Sequence, residues 1–295
     1  MLGAIVLLAA GSIDVAHAWP AIDASTIGLL FGLMVVSGQL QLAGFYSAIA
    51  LRLASARVGP RGLLAALVLV AGGLSAVLQN DVICLAMPPL LIDVCRRRRL
   101  DPMPFLLALA AAANVGSAAT LIAPLPRDVA ALAAAGILLV SRTTSSRALL
   151  AAVDVQLLLL FVGLFVVHAA FTATGLPARA LDGLAARGVD LGATPWLFGA
   201  TLVLSNVVSN VPAVMLLLPA AHGAGDGYLL ALVSTFAGNL LLVGSIANLI
   251  VVTESERLGV RPRDRSWFLE HLRYGLPVTA VTMAAAAASC ALLPV

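Results

Sequence analysis

The sequence predicts an all-α integral membrane protein of two inverted repeats, with two re-entrant helical hairpins and two unwound helices. Three observations predict this. The chain is too apolar for water, its apolar runs alternate with arginine-bearing loops, and polar interruptions recur at near-constant spacing in the two halves. Of 295 residues, 61% are hydrophobic and 11% charged, with a mean hydropathy of +1.06. A soluble domain carries about 25% charged residues, so lipid must solvate much of this surface. All 17 basic residues are Arg and the net charge is +3. These arginines sit in short loops between apolar runs, which is the pattern of topology signals and excludes a nucleic-acid face. Cys84, Cys95 and Cys290 form no CxxC and no Cys/His cluster. They read as small packing residues, with no metal site or disulfide framework.

Apolar runs cover 2–17, 26–51, 62–95, 103–126, 129–141, 154–172, 195–220, 227–252 and 274–294. A span needs about 20 apolar residues, and most runs fit. The first ends in Ala16-His17-Ala18, similar to a signal-peptidase site, but no Arg or Lys precedes it, so a retained helix is expected. The run 62–95 is too long for one span and too short for two. Gln79-Asn80-Asp81 lies at its centre, with Arg52, Arg57 and Arg61 before it and Arg96 to Arg99 after it. Positive flanks belong in the cytoplasm, so the segment is expected to enter and leave by one face as a re-entrant hairpin. Such backbone survives at depth only when protein or a wet cavity surrounds it. The run 195–220 has the same design, interrupted at Ser205-Asn206 and Ser209-Asn210-Val211-Pro212. The charge bias puts the N-terminus in the cytoplasm, loop 173–193 outside, and Arg142, Arg147 and the arginines of 257–265 inside. Run 129–141 spans only with help from Pro124 to Asp128.

The halves resemble each other. Asp23 and Asp154 are separated by 131 positions (154 − 23), as are Gly32 and Gly163, and Gly44 and Gly175. FGLMVV at 31–36 answers VGLFVV at 162–167, and GSAATLI at 116–122 answers GSIANLI at 244–250. The same register pairs 3–11 with 134–142. Residues 1–128 read as the first repeat and 129–295 as the second, within one membrane domain. The topology makes the repeats antiparallel, an arrangement found in secondary transporters.

Four polar interruptions occupy corresponding places. They supply the candidate site: Asn80 and Asp81; Asn114, Gly116, Ser117 and Thr120; Ser209, Asn210, Val211 and Pro212; and Gly244, Ser245 and Asn248. Buried Asn and Ser need partners that lipid does not offer, and Gly beside them lets a helix unwind. Unwound backbone exposes carbonyls that suit Na⁺ and N–H groups that suit an anion. The bland alternative is that these residues only join helices. Asp81 is the one carboxylate at a hairpin tip, and either binds a cation, carries a proton, or caps a helix. Asp23 and Asp154 read as helix caps, and His168 as a hydrogen-bonded packing residue. No nucleophile–base pair, phosphate loop or zinc motif is visible, so no enzyme chemistry and no cofactor are expected.

NDVICLAMPPLLIDVCRR (80–97), ANVGSAATLI (113–122), SNVVSNVPAVMLLLP (205–219) and AGNLLLVGSIANLIV (237–251) resemble the ion transporter superfamily. They are most similar to its arsenite-permease and citrate-transporter-like branch. The resemblance implies a scaffold, a moving transport domain, and an inner-membrane carrier of a small inorganic or organic anion (arsenite, citrate-like carboxylate or sulfate). It implies a symporter with Na⁺ or H⁺ as coupling ion, and a homodimer in some branches. Two alternatives stay open: a sodium/proton antiporter titrating Asp81, and a non-transporting membrane subunit. Ala123-Pro124-Leu125-Pro126-Arg127 replaces the Gly-Asn-Pro-Gln-Asn-like stretch usual after GSAATLI, and the first half lacks a counterpart of 274–294. The first repeat is therefore expected to be shortened.

Overall fold

A computed structural model describes residues 2–11, 13–78, 80–119, 127–140, 145–262 and 266–292, and their regular structure is helical. In chain order the first helices are α1 (Leu2–Ala9), α2 (Val15–Ala18), α3 (Ala24–Leu42), α4 (Phe45–Ser55), α5 (Pro60–Ser75), α6 (Asn80–Arg97), α7 (Met103–Ala119) and α8 (Arg127–Val140). There follow α9 (Ser146–Ala151), α10 (Val155–Ala173), α11 (Leu176–Ala185), α12 (Thr194–Val208), α13 (Asn210–Leu217), α14 (Ala224–Ala237), α15 (Ile246–Arg257) and α16 (Trp267–Leu292). Residues 24–42, 155–173 and 267–291 are long and apolar enough to cross a membrane. Together with shorter apolar helices such as α5, α7 and α12, they make a multi-pass membrane protein.

Several expected spans are corrected, and glycine is the usual reason. Run 26–51 is two helices, α3 and α4, separated at Gly44 with φ +73°. Loop 173–193 contains α11, which starts after Gly175 with φ +68°. Run 2–17 turns at Gly11 (φ +66°) between α1 and α2. A left-handed residue ends a helix, and only Gly adopts it without a Cβ penalty. The last helix begins earlier than expected, at Trp267.

Two compact units divide the chain. The first comprises Met1–Gln39, Pro124–Leu197 and Met215–His222. In it two long helices have bounds 131 positions apart (155 − 24 and 173 − 42). α3 and α10 start and end at equivalent positions, and both are capped by Asp. Asp23 accepts from the Ser25 N–H at 3.0 Å and Asp154 from the Leu157 N–H at 2.9 Å. The Thr26 hydroxyl, donating at 2.6 Å, is the main cause holding the Asp23 carboxyl below its ordinary range. Ala4 of α1 packs with Val166 and Ala170 of α10, while Met34 and Val35 of α3 pack with Ala135 of α8. Gly32 meets α8 so closely that a Cβ there would lie 2.6 Å from the Ala131 carbonyl carbon. In the register of the repeat α1 answers part of α8, so each long helix packs against the short apolar helix of the other half.

The second unit comprises Leu40–Ala123, Phe198–Val214 and Gly223–Val295. α7 is central and packs against α5, α6, α14, α15 and α16. It crosses α5 at Gly116 and Gly72, where a Cβ on Gly116 would run into the Gly72 carbonyl. Ser75 seals that crossing by donating to the Ala113 carbonyl at 2.5 Å. Arg98 donates to the Leu53, Ala54, Ala56 and Val58 carbonyls at 2.5–3.3 Å, covering the C-terminal end of α4. The arginine run at 96–99 is therefore a helix staple as well as a charge signal.

Two segments differ most from ordinary spans. α14 stops at Ala237 and α15 starts at Ile246, with a short 3₁₀ turn at Leu242–Gly244 and extended Ser245 (φ −143°, ψ 139°) between them. This is the expected break near Gly244-Ser245, wider than the sequence suggested. By contrast α7 stays helical through Ala119, so unwinding at Asn114–Ser117 is corrected. The Ser117 hydroxyl donates to the Asn114 carbonyl at 2.8 Å and the Gly116 backbone lies against α5, which together hold the helix closed. α13 has 8 residues, or about 12 Å at 1.5 Å per residue, far short of a hydrocarbon core of about 30 Å.

Candidate substrate site

The sequence-selected polar residues largely converge within the second unit, and Asn114 is the hub. It projects from α7 and is 1% exposed. Its Nδ2 donates to Asn239 Oδ1 at 3.0 Å and to Asn248 Oδ1 at 3.2 Å. Its Oδ1 accepts from Ser245 Oγ at 2.9 Å and from Asn80 Nδ2 at 3.4 Å. Both donors and both lone pairs of the amide are thereby used. One side chain thus joins the start of α6, the loop after α14 and the start of α15.

Asn248 closes the break on itself. Its Nδ2 donates to the Gly238 carbonyl at 2.7 Å and the Leu241 carbonyl at 3.3 Å. Asn206 of α12 and Asn210 of α13 hold the same loop from another side. Asn206 Oδ1 accepts from the Leu241 N–H at 3.2 Å. Asn210, with its amide nitrogen turned toward acceptors, donates to the Ser234 carbonyl at 2.9 Å and the Gly244 carbonyl at 3.1 Å. Asn206 and Asn210 are four residues apart, but Ser209 lies between them with φ +74°, a rare conformation for a residue with a Cβ. That left-handed residue separates α12 from α13. A Cβ on Gly244 would lie 2.9 Å from Asn206 Oδ1, so the amide and the loop are in close contact.

Other predicted residues fall outside this hydrogen-bonded set or play different parts. Asp81 is half-buried in the first turn of α6, where a carboxylate is favoured by the helix dipole. Gly116 serves the α5–α7 crossing and Ser117 bonds back to its own helix. Val211 is 37% exposed. Pro212 is the third residue of α13, where its missing N–H would have no helical acceptor. Thr120 and Gln79 lie outside the described residues. His168 lines a cavity of about 680 Å³ in the first unit together with Asp14, His17 and Thr172.

Sequence reasoning missed Asn239, His271, and the clamping role of Asn206. Asn239 is 1% exposed; its Oδ1 is bound by Asn114 while its Nδ2 has no partner. Ser205 Oγ, on α12, is likewise buried without a partner. His271 is 5% exposed on α16, and its Nε2 lies 3.1 Å from the Asn239 carbonyl. With its proton on Nε2 the ring donates to that carbonyl; Asn248 Nδ2 also lies 3.5 Å from Nε2. The adjacent Gly275 passes so near the loop that a Cβ would collide with the Asn239 carbonyl. A signal for Asn239 was available, because it follows Gly238 in the same polar stretch as Ser245 and Asn248. For His271, which sits beside Glu270 and Arg273 at the polar start of α16, no signal pointed to the break.

Chemically, the hydrogen-bonded set consists of neutral amides and hydroxyls, one imidazole, and backbone. Ser245 precedes α15 but gives its hydroxyl to Asn114, so no side chain caps that helix. Its first N–H groups lack a side-chain acceptor, and the Asn239 Nδ2 is buried without a partner.

The family model described as citrate transporter matches residues 1–126 and 121–237, and the two matches meet where the sequence departs from the usual stretch after GSAATLI. A silicon efflux transporter of Oryza sativa, LSI3, is 37% identical over 120 residues, covering 41% of this chain and 25% of that protein. The chain thus spans about a quarter of that relative's length. An uncharacterized transporter of Mycobacterium tuberculosis, Rv2684, is 27% identical over 371 aligned positions, covering 90% of this chain and 85% of the relative. That alignment is longer than the 295 residues here, so it contains stretches of the relative without a counterpart in this chain. A Dictyostelium discoideum protein carrying the transporter name arsB is 46% identical over 82 residues, covering 26% of this chain and 14% of that protein.

Proposed function

The chain belongs to the citrate transporter family, and from that membership we propose that it is a secondary carrier of a small anion or oxyanion. The amide cluster around Asn114 is its binding site. The observation that carries this reading is the union of a broken helix, an uncapped α15 N-terminus and an unpartnered buried amide in one cluster. In this reading α5–α6 and α12–α13 are re-entrant hairpins of inverted repeats, and the N-terminus is cytoplasmic. The matched Asp caps and left-handed glycines of α3 and α10 support the repeat. Citrate-like carboxylates, arsenite and silicon oxyacids all offer oxygens that backbone and amide N–H groups can recognise. Citrate follows from the family's name, silicon from the name of the rice relative, and arsenite from the sequence resemblance.

Coupling to protons is favoured over Na⁺. The Gly238, Leu241, Gly244 and Asn239 carbonyls of the break each accept a bond from Asn248, Asn210 or His271, which leaves at most one lone pair apiece and weakens them as a Na⁺ cage. His271 is the imidazole bonded into the cluster, and Asp81 follows Asn80 at its edge.

Uptake of labelled citrate, arsenite and silicate into proteoliposomes tests the reading. Asn210→Ala, which frees the loop from α13, is expected to lower uptake at least ~10-fold, the effect of losing about 1.4 kcal/mol of site stabilisation. Asp81→Asn is expected to lower uptake driven by a proton gradient, with no dependence on Na⁺. Unchanged flux in both variants removes the site assignment. Cysteine labelling at 62–95 and 195–220 from each side checks the hairpins, whose two ends should react from the same face.

A further inference from the structure

We propose that the arginine-lined groove between the end of α6, the connection after α15 and the start of α16 binds a phosphate group. The phosphate belongs either to a lipid headgroup or to a free anion. The groove is about 490 Å³ and lies wholly within the second unit, apart from the amide residues described above. Arg96, Arg261 and Arg273 line it from three different segments, joined by Asp101 and Glu270.

The walls are built rather than incidental. Arg96 donates from Nη2 to the Leu258 carbonyl at 3.0 Å, tying α6 to the end of α15. That end is closed by Gly259 at φ +77° and by the Val260 N–H, which donates to the Ser255 carbonyl at 2.8 Å. This left-handed closure sets the direction of the chain into Arg261. Arg273 lies over the Tyr274 ring, 5.8 Å from its centroid, which restrains the guanidinium.

Three guanidinium groups and two carboxylates line the groove, a balance of one positive charge (3 − 2), and among the described residues no carboxylate is paired with these arginines. Asp101 accepts from the Met103 N–H at 3.0 Å and so caps α7. Glu270 occupies the first turn of α16, where the helix dipole favours it. Among the described residues the ion pairs within 4.0 Å are His17–Asp14, Arg97–Asp93 and Arg257–Glu254, and none involves Arg96, Arg261 or Arg273. Planar guanidinium forks match phosphate oxygens in pairs. Basic pockets at the ends of membrane helices hold anionic headgroups by the same chemistry.

Thermal unfolding of the purified full chain in detergent tests this, with inorganic phosphate, phosphatidylglycerol or phosphatidylcholine added. The wild type is expected to gain ~3 °C or more with phosphatidylglycerol or with phosphate, as a ligand that binds only the folded state requires. The R261Q/R273Q variant should keep its ligand-free Tm and lose most of the gain. A gain with phosphatidylglycerol alone assigns the groove to a lipid headgroup, and a gain with inorganic phosphate assigns it to the free anion. If the double variant fails to fold, Arg261→Gln alone, on an exposed loop, is expected to lose about half of the gain. Equal gains in wild type and variant, or no gain with either phosphate source, overturn the proposal. Citrate or arsenite uptake plays no part in the readout, so the outcome is independent of the transport reading.

Discussion

Asn114→Leu abolishes uptake while leaving a membrane-inserted but less stable protein. Leucine keeps the γ-branched shape of asparagine, is larger, and removes its amide. Ser245, Asn80, Asn239 and Asn248 each lose a partner at once. An unsatisfied buried polar group costs about 1–3 kcal/mol, so even partial rearrangement leaves a loss of several kcal/mol. The released groups belong to the start of α6, the loop after α14 and the start of α15, so the donors lose their common orientation. Asn114→Asp keeps both acceptor positions but removes the donors to Asn239 and Asn248. It should retain more stability than Asn114→Leu, and still transport an anion poorly because it adds a negative charge at the hub. Flux and Tm measured together separate site loss from unfolding. Near-normal uptake by Asn114→Leu would mean that the amide cluster is structural glue and that the solute binds elsewhere.

Gly116→Val is the most destabilising single substitution expected in α7. A Cβ at that position falls on the Gly72 carbonyl, and backbone cannot swing aside as a flexible side chain can. The α5–α7 crossing must open, at a cost of about 1–3 kcal/mol for overpacking or more where backbone is displaced. It also pulls apart the Ser75 bond to the Ala113 carbonyl, one residue before the hub. Gly73→Ala is the matched control, because a Cβ there meets nothing within 4 Å. It should leave Tm unchanged or slightly raised, by up to about 1 kcal/mol of helix propensity. Equal Tm values for the two variants would show that the close crossing does not exist in the membrane.

What could be read from the chain alone follows from its solvent and its covalent limits. Lipid leaves no alternative to helices where hydropathy is high, so residues such as 155–173 and the apolar helices were legible from composition. The left-handed positions at Gly44 and Gly175 are a backbone property of glycine, and their recurrence 131 positions apart was visible, although α4 and α11 beyond them were not. Asn80, Asn114, Asn210, Ser245 and Asn248 were legible because an amide or hydroxyl in an apolar stretch must find a partner. Which partner each one finds is a matter of distances between segments far apart in sequence, and only packing decides it. Packing made Asn114 the hub and kept its own helix wound, because Gly116 fits against Gly72. It also recruited His271 and Asn239 to the same cluster. Nothing in the local sequence of α16 marks His271, since a histidine's role is set by the carbonyl it meets.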